Sequence, residues 1–515
     1  MNEEPEPQPL FHIETAEMPT LPNIPPTTID LRYPLIAPYV AAHIYYDHAT
    51  NELLYVVEEP QLNDEEQTTL QLIEEGIQEL INLSVLNIKT TETIIAYLEK
   101  NIKIILNELN IKTSTETFTK LMYYVYRDFV GLNQIEPLMK DYYLEDIECN
   151  GLNTPIYIVH RKYGNLKTNI TFTNEQQLES FVEKLAQKCG KYISYAKPLL
   201  DAQLPDGSRI NATFSQDISA RGPSFSIRKF TKEPYTPVKL IQLNTASPEL
   251  LAYLWILIEN EANIMIIGAT GAGKTSFINS LAFFIPPQAR IVSIEDTREI
   301  NLLHENWLPS VAREGTGINE SSDIDLFTLL KESFRQRPDY VIVGEIRGKE
   351  AYVLFQGAAS GHATMSTMHA EDVITMIRRL ETAPINLSPS LVNSLDAVCM
   401  LTTTKIRNQD VRRVKDVTEI IEIGNETGAA ATNTPFVWEP RTDTFYYKTE
   451  SNFFEKITRQ RGMSMEKLQN EFRIRSQILL NMYRLGITQP KEVQECINLY
   501  YKNPQALLQK LNITP

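Results

Sequence analysis

The sequence predicts an α/β domain in the C-terminal half of the chain, an α+β domain before it and a helical extension after it. Three observations predict this. Between residues 247 and 440, near-continuously apolar runs alternate with helical spacing, as the strands of a sheet covered on both faces require. The first of these runs leads straight into a glycine-rich loop and then a helical pattern. Past about residue 450 the spacing of apolar residues is helical only.

Residues 1–30 carry Pro5, Pro7, Pro9, Pro19, Pro22, Pro25 and Pro26 among acids, a composition that cannot build a core and predicts a disordered or extended leader. Its start, MNEEPEPQP, lacks the basic residues and apolar stretch of a signal peptide, so the chain is expected to stay inside the cell. LIAPYVAAHIYY and ELLYVVEEP, within 35–60, read as two strands around a polar turn at His48 to Asn51. Residues 64–110 carry helical spacing, with Leu70, Ile73, Ile77, Leu80 and Ile81 on one face, and a further helix covers 115–131. IYIVH (156–160), a turn at Gly164 and TNITF (168–172) precede an amphipathic helix at 175–190. Residues 31–230 thus form an α+β unit, expected in two lobes.

Residues 231–246, with Pro234 and Pro237, read as a linker and hinge. The buried strands that follow are NIMIIG (263–268), RIVSIED (290–296), YVIVGE (340–345) and AVCMLTTT (397–404). In the extension, 441–515, residues Met465, Leu468, Phe472, Leu479 and Met482 recur at helix spacing and Gly486 is placed as a C-terminal stop.

A chain of 515 residues can bury several cores, which agrees with these divisions. Its 49 Lys and Arg against 65 Asp and Glu give a net charge of -16, which disfavours nucleic acid as a partner. Cys149, Cys189, Cys399 and Cys496 form no CxxC pair, so neither a zinc ribbon nor a disulfide framework is indicated, and they read as buried free thiols. The longest apolar stretch, Leu250 to Ile258, is about half of the roughly 18 residues a spanning helix needs. No direct membrane insertion is expected, and any membrane association goes through a partner.

Gly268, Ala269, Thr270, Gly271, Ala272, Gly273, Lys274 and Thr275 match GxxxxGK[ST] in full, between an apolar strand and the helical run opened by Ser276. Glycines let such a loop turn without Cβ clashes and aim backbone N–H groups, with a helix N-terminus, at phosphates. Lys274 is placed to reach the β- and γ-phosphates, and Thr275 to coordinate magnesium. Ser276 stands where a dinucleotide fingerprint needs its last glycine, which argues against that reading. YVIVGE ends an apolar strand on Glu345, a candidate to orient the attacking water beside the metal. A guanine-reading [NT]KxD is absent from the sequence, so ATP is the expected nucleotide.

With two further segments, the chain closely resembles the secretion-superfamily ATPases, the motors of type II and type IV secretion, type IV pili and the archaellum. IEDTREI (294–300) is similar to that family's Asp box, GEIRG (344–348) to its Walker B end and SGHATMSTMHA (360–370) to its His box, over a resemblance spanning roughly residues 35–500. It implies a RecA-like ATPase domain at 247–440, capped by the N-terminal domain, whose 135–230 part is PAS-like and whose helical part is 64–131. It also implies a homo-hexameric ring, cytoplasmic at the membrane periphery, that works on an integral membrane platform protein.

On the same basis Glu295, Asp296 and Glu299 supply carboxylates for magnesium or water, on a strand neighbouring the P-loop strand, with Glu295 first among them. Arg298 reads as their counter-charge. His369 corresponds to the family's γ-phosphate-sensing histidine and His362 to the first histidine of the box; read without the box, the pair are polar positions on a helix face. DAQLPDGSRIN (201–211) and RGPSFSIRKF (221–230) look like the stretches that bring Arg209 and Arg228 to the phosphates. Arg335, Arg337 and Arg347 are candidates for the same charge cluster.

The family's bacterial type II members carry a tetracysteine insert after the His box, whereas 380–440 here holds only Cys399. APYVAAHIYY, LPDGSRI, SFSIRKF and LLAYLWILIENE resemble the archaeal branch instead. HExxH is absent, so no zinc is proposed. The competing readings are a nucleic-acid translocase or conjugation-type DNA-transfer ATPase, and a non-hydrolysing nucleotide-gated scaffold.

Overall fold

Two sheets form, one in each of two units, Met1–Phe230 and Thr231–Pro515; burial largely alternates along the strands of the first and is continuous along the central strands of the second. The computed structural model describes residues 10–14, 19, 21–22, 24–80, 91–230, 233–313, 324–406, 409–424 and 430–513.

In the first unit the chain runs β1 (Asp30–Ile36), β2 (Val40–Asp47), β3 (Glu52–Glu58), α1 (Asp64–Leu80), α2 (Thr91–Glu108), α3 (Thr115–Val125) and α4 (Glu136–Lys140). It continues through β4 (Leu144–Cys149), β5 (Pro155–His160), β6 (Gly164–Thr171), α5 (Glu175–Lys188), β7 (Leu199–Gln203), β8 (Arg209–Thr213) and β9 (Ser224–Arg228). Three strands, not two, occupy the first stretch, because a turn at 37–39 folds β1 back on β2 before Asn51, at φ 58°, turns β2 into β3. Ser114 and Asn174 cap α3 and α5 by accepting the N–H of Thr117 and Gln177. Of the face expected on α1, Ile73 and Ile77 are fully buried, whereas Ile81 lies outside the described residues.

The sheet order is β1-β2-β3-β6-β5-β4-β9-β8-β7. A short parallel pairing of β3 with β6, at Leu54↔Lys167 and Tyr55↔Thr168, joins the three-stranded meander to the antiparallel strands beyond. The two lobes expected for residues 31–230 therefore share one sheet and one core. Asp141, fully buried, rivets them: its Oδ2 accepts the hydroxyls of Tyr33 (2.6 Å) and Tyr55 (2.7 Å) from the meander.

The coreless leader expected over 1–30 is also corrected. Residues 1–9 lie outside the described residues, but Phe11 is fully buried and stacks on Tyr39 with ring centroids 4.9 Å apart. Leu10 N–H donates to Glu99 (2.9 Å), and Lys162 donates to the carbonyls of Leu21 (2.9 Å) and Pro22 (2.8 Å). An extended segment needs no core of its own when one aromatic plug and borrowed hydrogen bonds fasten it to another.

The second unit opens with α6 (Pro237–Gln242), α7 (Pro248–Glu259), β10 (Ile264–Ile267), α8 (Lys274–Ala282), β11 (Ile291–Glu295), β12 (Trp307–Val311), α9 (Leu326–Ser333) and β13 (Tyr340–Val343). It continues with α10 (Glu350–Ala359), β14 (Ala363–Met368), α11 (Val373–Glu381), α12 (Pro389–Val392), β15 (Ala397–Ile406), β16 (Gln409–Ile423), β17 (Ala430–Glu439) and β18 (Thr444–Tyr447). Four helices close it: α13 (Asn452–Arg461), α14 (Met465–Arg484), α15 (Pro490–Lys502) and α16 (Pro504–Lys510). The sheet order is β12-β11-β13-β14-β10-β15-β16-β17-β18, parallel from β12 to β15 and antiparallel beyond. This is the α/β class expected of the region, with the nearly all-apolar strands of a doubly covered sheet.

Two expected boundaries move. Val238 and Leu240 of α6 are buried in the second unit's core, so most of the 231–246 stretch is packed structure, and residues 231–232 lie outside the described ones. The helices α13 to α16 are likewise part of that core, since Leu468, Ile478 and Met482 join the same cluster as Trp255 and Leu257 of α7. The apolar run Leu250 to Ile258 is apolar all round because this helix is wrapped on every side. Among the described residues no helix is long and apolar enough to cross a membrane.

Phe11→Ala is expected to cost about 3 kcal/mol, the range for a buried phenylalanine, and to release the leader. Hydrogen exchange should then show faster loss of protection in β1 and β2, whereas Leu10→Ala, at a residue 46% exposed, should leave it unchanged.

Candidate functional site

Four fully buried residues, Ile264 to Ile267, end at Gly268, where φ is 152° and an added Cβ would stand 2.6 Å from the Leu401 carbonyl oxygen. Gly271 (φ 74°) and Gly273 (φ 89°) complete the turn, and Gly273 is the N-cap of α8. The loop thus delivers Lys274 at the first turn of a helix. Lys274 is buried, and its Nζ donates to the carbonyls of Gly268 (3.1 Å) and Ala269 (3.0 Å) and lies 3.2 Å from His369 Nδ1. Burial lowers the ammonium's pKa, and Glu345 and Glu299 oppose that shift. Thr275 and Ser276 are half-buried in the same turn, and Ala269 and Thr270 are exposed on the loop.

A chain of contacts leads on from this lysine. On the other side of the ring, His369 Nε2 stands 3.0 Å from Glu345 Oε1. Arg347 Nη2 donates to the other oxygen, Glu345 Oε2, at 2.5 Å, and its Nη1 lies 3.9 Å from Asp296. Burial and the Lys274 charge hold the His369 pKa below its ordinary value, while Glu345 pulls the other way. The geometry gathers Lys274, His369, Glu345 and Arg347 from three separate sequence segments.

Strand order explains the gathering and corrects one expectation. The strand carrying Glu295, β11, does not neighbour the P-loop strand β10; β13 and β14 lie between them. The His box supplies that inserted strand. His362 and His369 flank β14 at opposite ends, so the helix-face reading of this pair fails. His362 instead packs against Phe334, with centroids 4.9 Å apart, far along the strand from Lys274.

Glu295 is buried. Its Oε1 accepts the N–H groups of Glu299 (2.9 Å) and Ile300 (2.8 Å), fixing the turn that follows β11, while Oε2 has no partner. Burial pushes its pKa up to about 7. Asn279 of α8, missed in the sequence, donates to the Glu299 carbonyl (3.2 Å) and accepts from Asn301 N–H (3.1 Å), tying the P-loop helix to the Asp box. Arg298 stands over the Trp307 ring at 5.9 Å. Arg335 lies 3.6 Å from Glu332 on the surface, away from this chain of contacts.

Arg209 and Arg228 belong to the first unit, where they are direct neighbours across β8 and β9. Asp201 holds Arg209 through two bonds, Nε at 3.1 Å and Nη2 at 2.7 Å, and Asp146 holds Arg228 at 3.2 Å. Both arginines are exposed. Sequence reading also missed Arg412 of β16, whose Nε donates to the Gly271 carbonyl at 2.9 Å.

Among the described residues no group of three or more His, Cys, Asp or Glu forms a cation cage, but Glu295 Oε2 is a buried, unpartnered carboxylate oxygen. Cys149, Cys399 and Cys496 are buried free thiols and Cys189 a half-buried one.

Comparison with known proteins gives one family. Residues 131–464 match the model described as Type II/IV secretion system protein, a span that includes all four boxes and both exposed arginines. The uncharacterized protein MJ0900 of Methanocaldococcus jannaschii is 38% identical over 396 residues, 76% of this chain and 71% of its own. The conjugal transfer protein TrbB of Rhizobium radiobacter is 30% identical over 236 residues, 44% of this chain and 68% of its own. The pilus retraction motor PilT with bound ADP is matched at 16% identity and a TM-score of 0.40, over 72% of this chain and 94% of that one.

The raised pKa of Glu295 has a measurable sign. The folded value, about 7, lies above the ordinary 4.5, so folding favours the protonated acid and this contribution is lost as pH rises through 7. Glu295→Gln removes the titration. Its Tm relative to wild type, measured without nucleotide, should therefore rise between pH 5 and pH 8; a constant difference would contradict the assigned shift.

Proposed function

The chain belongs to the type II/IV secretion system protein family, and from this we propose that it is a magnesium-dependent ATPase, a homo-hexameric motor acting on an integral membrane platform protein. The motor would power pilus or archaellum filament assembly, or type II/IV secretion, from the cytoplasmic face of the membrane. The contact chain from Lys274 through His369 to Glu345 carries this reading, because it links the phosphate loop to the candidate water-orienting acid.

The residues divide the work. ATP phosphates enter the loop 268–275 against the N-terminus of α8, and Lys274 exchanges the carbonyls of Gly268 and Ala269 for the β- and γ-phosphate oxygens. Withdrawal of the ammonium from His369 frees that ring to respond to the γ-phosphate. Glu345 orients the attacking water. Thr275, Glu295 and Glu345 would hold magnesium, directly or through water, and bound magnesium supplies positive charge to the phosphate oxygens. Arg209 and Arg228 are proposed as planar cations able to donate to phosphate oxygens.

The conjugal transfer relative supports a second reading, a DNA-transfer ATPase. The net charge of -16 weighs for the first. Turnover stimulated by DNA would select the second, and turnover stimulated by native membranes the first.

Lys274→Ala should abolish binding of a fluorescent ATP analogue. Glu345→Gln should still bind it while turnover falls by about 10²- to 10⁴-fold, the usual contribution of a positioned acid–base group. Normal turnover by Glu345→Gln would remove this residue from the chemistry.

A further inference from the structure

We propose that Arg412 is a positioning residue for the phosphate loop, bracing Gly271 and Gly273 from the antiparallel side of the sheet. The inference rests on the reading of that loop as the ATP site. β15 pairs with the P-loop strand only as far as Ile267↔Met400, then runs on to Ile406 beyond the strand's end. β16 returns alongside it, with Thr402 opposite Arg413 and Thr403 opposite Arg412. The overhang therefore stands beside the loop at the carboxyl edge of the parallel strands, where ligands of such sheets bind.

Strand alternation gives the two adjacent arginines opposite tasks. Arg413 points inward and is buried: its Nε and Nη2 hold Asp443 at 2.7 and 2.9 Å, and its Nη1 holds the carbonyls of Leu243 (3.1 Å) and Arg412 itself (2.9 Å). Val414 N–H donates to the Thr245 carbonyl at 2.9 Å. The backbone of Arg412 is thus pinned before its side chain does anything.

Arg412 points outward. Its Nε donates to the Gly271 carbonyl at 2.9 Å, and its Cδ would lie 3.2 Å from a Cβ on Gly273, so its stem lies along that glycine. Gly271 and Gly273, at φ 74° and 89°, are glycines in the left-handed region, and each meets a different part of this one side chain. A rigid strut here reduces the conformational freedom that phosphate binding must remove, and adds a positive charge beside the loop. Such bracing acts equally on the bound substrate and the transition state, so its loss should fall on KM more than on kcat.

Fluorescent ATP-analogue titration and steady-state turnover test this on the full chain. Arg412→Ala should weaken binding by about tenfold, the scale of one hydrogen bond from a charged donor, with KM rising by a similar factor and kcat changing by less than about twofold. Arg412→Lys keeps the charge but not the Nε donor, and should recover only part of the affinity. Unchanged Tm without nucleotide in both variants would separate bracing from general stability. Wild-type affinity in Arg412→Ala would overturn the inference, as would a loss confined to kcat. Absence of binding by the wild-type protein would instead overturn the ATP-site reading.

Discussion

Burying the ammonium of Lys274 is the constraint around which the second unit is arranged. An amine removed from water loses its charge unless oxygen or ring nitrogen meets it, and burial already lowers its pKa. Two carbonyls of its own loop and His369 meet it. Those carbonyls are available only because glycines turn the loop back over the lysine. His369 is available only because β14 lies directly beside β10 and ends level with it, at Ile267↔Met368. The same arrangement leaves the ammonium in contacts that phosphate oxygens can replace without exposing it.

A helix that presents such a group must be fixed at its other end. Past α8, the carbonyl of Phe283 accepts from Gln494 (3.3 Å) and that of Phe284 from the Tyr501 hydroxyl (2.6 Å). Trp255 stacks on Phe284 with centroids 5.0 Å apart and donates to the same hydroxyl at 2.9 Å. Within the helix, Ser280 donates to the Tyr235 carbonyl at 2.6 Å. The C-terminal helices therefore satisfy the carbonyls at and just past the end of α8, and so hold that helix. They work as part of the site's scaffold.

How much of this the sequence disclosed follows from what is local. Gly268 to Thr275 is contiguous, and its spacing implies its own geometry, so the loop was legible. The strand order was not: nothing in RIVSIED or NIMIIG says that β13 and β14 come between them, since parallel crossovers leave the order to packing between distant segments. Inserting β14 also accounts for the failure of the helix-face reading of the two histidines, because ATMSTM is short and only moderately apolar, without a strong period. Phe11 looked like part of a coreless leader because its partners, Tyr39 and Glu99's neighbourhood, lie elsewhere in the chain. Arg412 left no trace: VRRVK has two adjacent arginines and no alternation, and nothing in it names the loop that the side chain touches.

The arginines show how pairing separates structural cations from candidates for phosphate chemistry. Arg127, Arg413 and Arg475 are between 5 and 11% exposed, so each guanidinium is itself buried and depends on its carboxylate for a counter-charge. Arg209 and Arg228 are 46 and 65% exposed, and surface pairs of this kind contribute only about 0–1 kcal/mol. Asp201 and Asp146 therefore orient them without committing them. A phosphate offers two oxygens and a denser negative charge to the same forked donor. Exposed, carboxylate-held arginines side by side on two strands are thus the form in which a protein can keep a transferable cation ready.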